Sequence, residues 1–502
     1  MSKIKSTLIT CNCGYLIKLQ QRFHAMRNDR YRQDREELKE LLIQYENLRA
    51  GRQNSYIEQE GFERVIEHFD DKEKFSEALV VCDYAINQYP YAASLMLLKA
   101  NLLIVTKKYT EALNVLTEAE EIDATDTDLY ILKTDAYLAL DMQAKAAEIL
   151  EIAIDNFEGD EKIDLLFELC DVYDDYENFE KVFDCLVLIL KQDPSNEEAL
   201  YKICFWTDFT GRNEESITLH KALLEEQPFN ELAWFNLGAA YQGIKLHEKA
   251  LDAYSFAIAI NEKFDNAYRN MADAYLRIRK YRDAIECLEK VMQLSIPEPV
   301  IFEALGHCYD RLSNYPQARL YYKKASHMNA EDGRLHYKIG CTYMNENSWS
   351  SAVKSLNTAL RTSSRNISGQ PDYNLALGQC YMQLNNTDEA LVCFGHVVRM
   401  RPKNMNGWTE LLKCLLHSEF HAEGIEYSQL AFEQTDGKPL FLFYKSMFLF
   451  AAGKSKEAAL ILEDAMSVNP KLIKKFIELN PSVLSQRQVV DIIARYKKKN
   501  RR

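Results

Sequence analysis

The sequence of 502 residues is long enough for several domains or for one extended array, and its 47% hydrophobic and 27% charged residues match ordinary soluble proteins. Its formal net charge of −14 is uneven: residues 471–502 carry ten Lys/Arg against two Asp/Glu, leaving about −22 on the rest, and an acidic body argues against nucleic acid as a partner. No run approaches the roughly 18–20 apolar residues that cross a bilayer, so no membrane span is expected.

In chain order, residues 1–25 begin "MSKIKSTLITCNCGYLI" and read as a disordered leader or a start-site artefact, because a helical pattern opens at Met26. Asn12 interrupts the weakly apolar segment after Lys3 and Lys5, and no small-residue cleavage site follows, so secretion is not expected. Residues 26–58 are predicted to hold an N-terminal capping helix, since "DREELKELLIQYENL" over residues 34–48 is amphipathic with charged residues outward.

From residue 59 to residue 472 the chain repeats with a period of 34, which identifies a repeat architecture before any fold is considered. Twelve units begin at Gln59, Ala93, Thr127, Ile163, Glu197, Glu231, Asp265, Pro299, Gly333, Pro371, Met405 and Pro439, with two extra residues before Ile163 and four before Pro371. Position 20 is Ala in nine of the twelve, position 11 is Tyr in seven, and Pro90, Pro194, Pro228, Pro402 and Pro470 stand at position 32, where proline ends a helix. Positions 4, 7, 8 and 11 form one apolar stripe and positions 20, 24 and 27 a second, so each unit is predicted to be a helical hairpin. One hairpin cannot bury both stripes and must stack on its neighbours. Beyond the array, residues 473–502 are predicted to be a C-terminal capping helix ending in the basic tail "ARYKKKNRR".

In the sixth unit Trp234, Leu237, Gly238, Tyr241, Ala250, Tyr254 and Ala257 stand at the packing positions, and here the chain resembles the tetratricopeptide-repeat family. The resemblance implies an all-α fold, a right-handed α-solenoid superhelix of stacked helix-turn-helix hairpins. It also implies a concave groove lined by first-helix positions 2, 5, 6, 9, 12 and 13. Those positions give a basic set, Arg269, Asn270, Arg277, Arg311, Arg334 and Lys338, and an acidic set, Asp128, Asp135, Asp164, Glu168, Asp171, Asp174 and Asp175. In the sixth unit Phe235, Asn236 and Gln242 are expected to face the groove. Arg269, Arg334 and Lys338 fit the basic places of the family's carboxylate clamp, but Asp273 and Ala304 occupy its two amide places. A basic pocket for carboxylates or phosphates is what remains.

The twelve cysteines fall largely in recurrent packing slots, such as Cys170 and Cys204 at position 8 and Cys308, Cys380 and Cys414 at position 10. They read as small hydrophobes of a reducing compartment, and a cytoplasmic protein is expected. Cys414, His417 and His421 share a helix face, yet Cys414 belongs to a packing slot and His421 to a turn, so no metal is expected. A glycine-rich phosphate loop, a zinc-protease helix, a nucleophile elbow and a kinase signature are all missing, and the repeats leave no segment of domain size for catalysis. The expectation is a non-catalytic adaptor without cofactor that binds an extended or acidic peptide segment of another protein in its groove. The alternative is a structural or assembly subunit docking through the solenoid edge or the basic tail.

Overall fold

The computed structural model describes residues 36–52, 56–362 and 369–499; the expected leader over residues 1–25 and the end of the basic tail lie outside them. Among the described residues every regular element is a helix. The chain divides into two compact units, Met1–Lys245 and Leu246–Arg502, the division falling in the turn of the sixth repeat.

In the first unit a helix over residues 36–49 (α1) precedes five complete hairpins. They pair α2 (Gln59–Asp70) with α3 (Phe75–Gln88), α4 (Ala93–Val105) with α5 (Tyr109–Ile122), α6 (Thr127–Ala139) with α7 (Gln143–Ile154), α8 (Gly159–Asp175) with α9 (Phe179–Gln192), and α10 (Glu197–Thr210) with α11 (Asn213–Glu226). Helix α12 (Glu231–Gly243) closes the unit. Helix α8 starts one turn before Ile163. The two extra residues are absorbed as helix, with Asp160 and Glu161 in its first turn, where the partial positive charge of a helix N-terminus favours them.

The second unit opens with α13 (His247–Ile260) and continues in six hairpins. These are α14 (Asp265–Arg277) with α15 (Tyr281–Leu294), α16 (Pro299–Arg311) with α17 (Tyr315–Met328), α18 (Gly333–Asn345) with α19 (Trp349–Thr362), α20 (Gln370–Gln383) with α21 (Thr387–Met400), α22 (Met405–His417) with α23 (His421–Gln434), and α24 (Leu440–Ala451) with α25 (Ser455–Val468). Helices α26 (Ile473–Leu479) and α27 (Arg487–Lys499) follow, set off by short 3-10 turns.

Local chemistry starts and stops these helices. The Asn196, Asn230 and Asn404 side chains, each just ahead of position 1, accept from backbone N–H groups of α10, α12 and α22, satisfying donors that a helix start leaves open. Between the helices of each hairpin, position 15 adopts a left-handed conformation, as at Glu73 (φ 55), Lys107 (φ 61), Asp141 (φ 60), Arg279 (φ 63) and Ser313 (φ 60). Glycine fills that position at Gly211 and Gly453. Lys107 N–H bonds Ile104 O at 2.9 Å and Lys108 N–H bonds Leu103 O at 2.8 Å, the paired bonds of a Schellman turn.

Packing follows the small residues. Every alanine at position 20 is fully buried. The glycines at position 8 lie directly beneath position 24 of the same hairpin: a methyl on Gly306 would stand 2.5 Å from the Tyr322 ring, one on Gly340 2.8 Å from Leu356, and one on Gly378 2.6 Å from Phe394. Trp234 and Trp408 donate their indole N–H to Pro228 O at 2.9 Å and Pro402 O at 2.6 Å, tying position 4 to the proline that ends the previous hairpin. Asn236 is buried and donates to Leu200 O at 2.7 Å, so it fastens α12 to α10 and is not a groove residue. Both ends are covered. Tyr45 of α1 packs with Phe62 and Val65 of α2, while Val489 and Ile492 of α27 pack with Phe443 and Met466.

Candidate functional site

The faces that the hairpins leave open are built from first helices, and the two units treat charge on them differently. In the second unit the basic set sits on α14, α16 and α18, and its cations are already matched. Arg269 reaches Glu298 at 3.2 Å and donates to Ser295 Oγ at 3.2 Å; Arg277 lies 3.4 Å from Asp273 one turn back. Arg334 holds Asp332 at 2.8 Å, Lys338 holds Glu303 at 2.6 Å, and Arg311 donates to Tyr281 Oη at 3.2 Å while lying over its ring. Asn270 is half-buried among them on α14. Loss of hydration raises the pKa of Asp310 and lowers that of His307, with Lys338 and Arg311 adding to the His307 shift. This face is therefore an alternating lattice of both signs where a basic pocket was expected. Arg334 is 68% exposed, while its partner Asp332 is 12% exposed.

The first unit gathers its acidic set on α6 and α8. Asp128, Asp135, Asp164, Asp171, Asp174 and Asp175 are exposed and Glu168 is half-buried. The carboxyl of Glu168 is pushed up, first by loss of hydration and then by Asp171, Asp135 and Asp164, with Lys202 opposing. Glu168 thus feels carboxylates of both α6 and α8. Lys202 of α10 stands 2.9 Å from Glu198 and 3.9 Å from Asp171, with its ammonium 4.9 Å from the centre of the Phe167 ring, which joins the α8 and α10 faces.

Beside these carboxylates α10 presents Tyr201, Phe205 and Phe209 at positions 5, 9 and 13, exposed by 59%, 61% and 58%. Phe205 meets Trp206 edge-on at 5.0 Å and stacks with Phe209 at 6.0 Å; Phe179 stacks on Trp206 at 5.2 Å. The charge pattern of the sequence does not point to these rings. Their spacing along one helix at groove positions is the signal that does.

Cys414, grouped in sequence with His417 and His421, is buried with its Sγ directed at Thr387 O at 3.7 Å. Among the described residues no three His, Cys, Asp or Glu side chains are grouped to hold a metal ion, and no helix is long and apolar enough to cross a membrane.

The tetratricopeptide-repeat pattern matches residues 269–332 and 371–404. The general transcriptional corepressor trfA of Dictyostelium discoideum is 27% identical over 134 residues, 26% of this chain and 10% of that protein. The anaphase-promoting complex subunit CDC16 of Saccharomyces cerevisiae is 22% identical over 384 residues, 72% of this chain and 42% of that protein. The chain thus spans less than half the length of either relative. Among solved structures, the APC/C hetero-tetramer Cut9-Hcn1 aligns over 80% of this chain and 90% of its own, at 15% identity and a TM-score of 0.34.

Proposed function

We propose that this chain, whose residues 269–332 and 371–404 match the tetratricopeptide repeat, is a non-catalytic adaptor whose first-helix faces hold extended segments of other proteins. One observation carries the reading. The residues that match the repeat are spent on packing, while first-helix positions 2, 9 and 13 place charged and aromatic side chains at the surface in several units, as at Asp164, Asp171, Phe205, Arg277 and Arg334. An extended segment laid across such faces gains selectivity from complementary charge and affinity from the few apolar groups it buries. The free cysteines support a reducing, cytoplasmic setting: burial pushes the Cys82, Cys287 and Cys308 thiols up to about 12, where they stay protonated and serve as packing groups.

Affinity purification of the tagged full chain with mass spectrometry tests this. Arg277→Glu with Arg334→Glu, or Asp164→Lys with Asp171→Lys, is expected to remove specific partners, because these exposed changes leave the core untouched. Loss of all partners on deleting residues 494–502, with none lost in the face variants, would replace the reading with docking through the tail.

A second reading, subunit of a larger assembly, draws on the match over 384 residues to a protein named as a subunit of the anaphase-promoting complex. It predicts that the chain elutes from native extract in one stable large species that survives dilution, whereas an adaptor exchanges partners.

A further inference from the structure

We propose that the α8–α10 face of the first unit docks a basic, apolar extended segment of a partner protein, with Phe205 and Phe209 receiving its apolar or guanidinium side chains and Glu168 and Asp171 pairing with its cations. This rests on the first-helix faces being binding surfaces, as proposed above, and specifies the chemistry of one of them.

The apolar half of the argument is the stripe on α10. Leu200, Ile203 and Thr207 are buried on α10, which packs mainly on α9 and α12, and the same helix turns Tyr201, Phe205 and Phe209 outward on its other side. The core has no use for these three rings. Single exposed apolar side chains are ordinary, but a contiguous aromatic patch rimmed by polar groups marks an interaction site. Phe205 and Phe209 brace each other together with Trp206 and Phe179, so little side-chain freedom remains to be lost when a ligand covers these two rings.

The charged half selects the occupant. Asp164, Glu168 and Asp171 stand at i, i+4 and i+7 on one face of α8, and Lys202 of α10, which reaches Asp171, is also engaged by Glu198. An acidic segment would be repelled. A segment carrying arginines meets these carboxylates with charge-assisted bonds, and its guanidinium planes suit phenylalanine faces. On α14, α16 and α18 of the second unit, by contrast, Arg269, Arg277, Arg334 and Lys338 are each paired with a carboxylate.

Fluorescence polarisation of the full chain tests the proposal with two labelled synthetic peptides, one alternating Arg with Leu and one alternating Glu with Leu. The Arg peptide is expected to bind and the Glu peptide to bind at least tenfold more weakly. Phe205→Ser with Phe209→Ser is expected to weaken the Arg peptide at least tenfold, and Glu168→Gln with Asp171→Asn severalfold, while Arg277→Glu with Arg334→Glu in the second unit does not weaken it. Thermal melts establish that each variant is folded; should the double serine variant melt early, Phe209→Gln alone serves in its place. Equal binding by wild type and a folded Phe variant would overturn the proposal, since attraction to an acidic surface would then explain everything. A labelled peptide of residues 1–35, which carries eight Lys/Arg against two Asp/Glu, also overturns it by binding tenfold tighter than the Arg peptide, because the occupant would then come from this chain. Loss of cellular partners through second-unit variants alone, with no peptide bound at α10, would overturn this inference and leave the adaptor reading standing.

Discussion

The imidazole of His220 is fully buried at position 24 of its repeat, with Nδ1 2.7 Å from Ser216 O. Burial lowers its pKa from 6.5 to about 4. The unfolded chain therefore takes up a proton near pH 6.5 while the folded chain refuses it until about pH 4, so stability falls as pH falls through that window. Between pH 7 and 5 the loss is on the order of 2 kcal/mol. Leucine fills position 24 at Leu116, Leu186 and Leu288, so His220→Leu keeps the volume and is expected to abolish this loss, measured as urea midpoints at the two pH values. Gly378 works by size alone. A methyl there would stand 2.6 Å from the Phe394 ring, and Gly378→Ala is expected to destabilise by about 1–3 kcal/mol in the same assay.

At the scale of elements, the hairpin turn is the feature least visible in sequence. The helices were legible because apolar spacing and the 34-residue period agree at every unit, and the small residue at position 20 marks where second helices begin. A left-handed residue normally announces itself as glycine, yet this chain places Glu73, Lys107, Asp141 and Arg279 there, held by tertiary packing against a backbone cost of about 1–2 kcal/mol each. Relieving that strain is expected to stabilise. Lys107→Gly or Glu73→Gly should raise stability by about 0.5–1 kcal/mol, net of the added freedom of the unfolded chain, while Gly211→Ala should lower it by about 1 kcal/mol. Chemical denaturation of the three single variants checks the opposite signs.

On the scale of the whole molecule, a stack of hairpins is as sound as its ends. Val489 and Ile492 of α27 are buried against the last hairpin, where they cover Phe443 and Met466. Ile492→Asp buries a charge without a partner and is expected to destabilise by about 3 kcal/mol or more, with light scattering rising as the apolar end is uncovered. The same scale explains what sequence could say about the candidate sites. Face positions followed from the period, and Arg334 and Asp164 do lie exposed. Their pairing did not, because Glu298 for Arg269 and Glu303 for Lys338 come from neighbouring segments that only folding brings near. Asn236 misled for the same reason, its partner being a carbonyl 36 residues away.

The matched charges of α14, α16 and α18 make any acidic ligand there a competitor with a resident. Each arriving carboxylate must evict Asp332 from Arg334 or Glu303 from Lys338, so the number of ion pairs is the same before and after. Dissolved salt weakens both sides of that exchange alike. Association on the second unit should therefore be nearly indifferent to ionic strength, while association on the carboxylate-rich face of α8 should fade steeply as salt is added, and a titration with sodium chloride tells which unit a given partner has chosen.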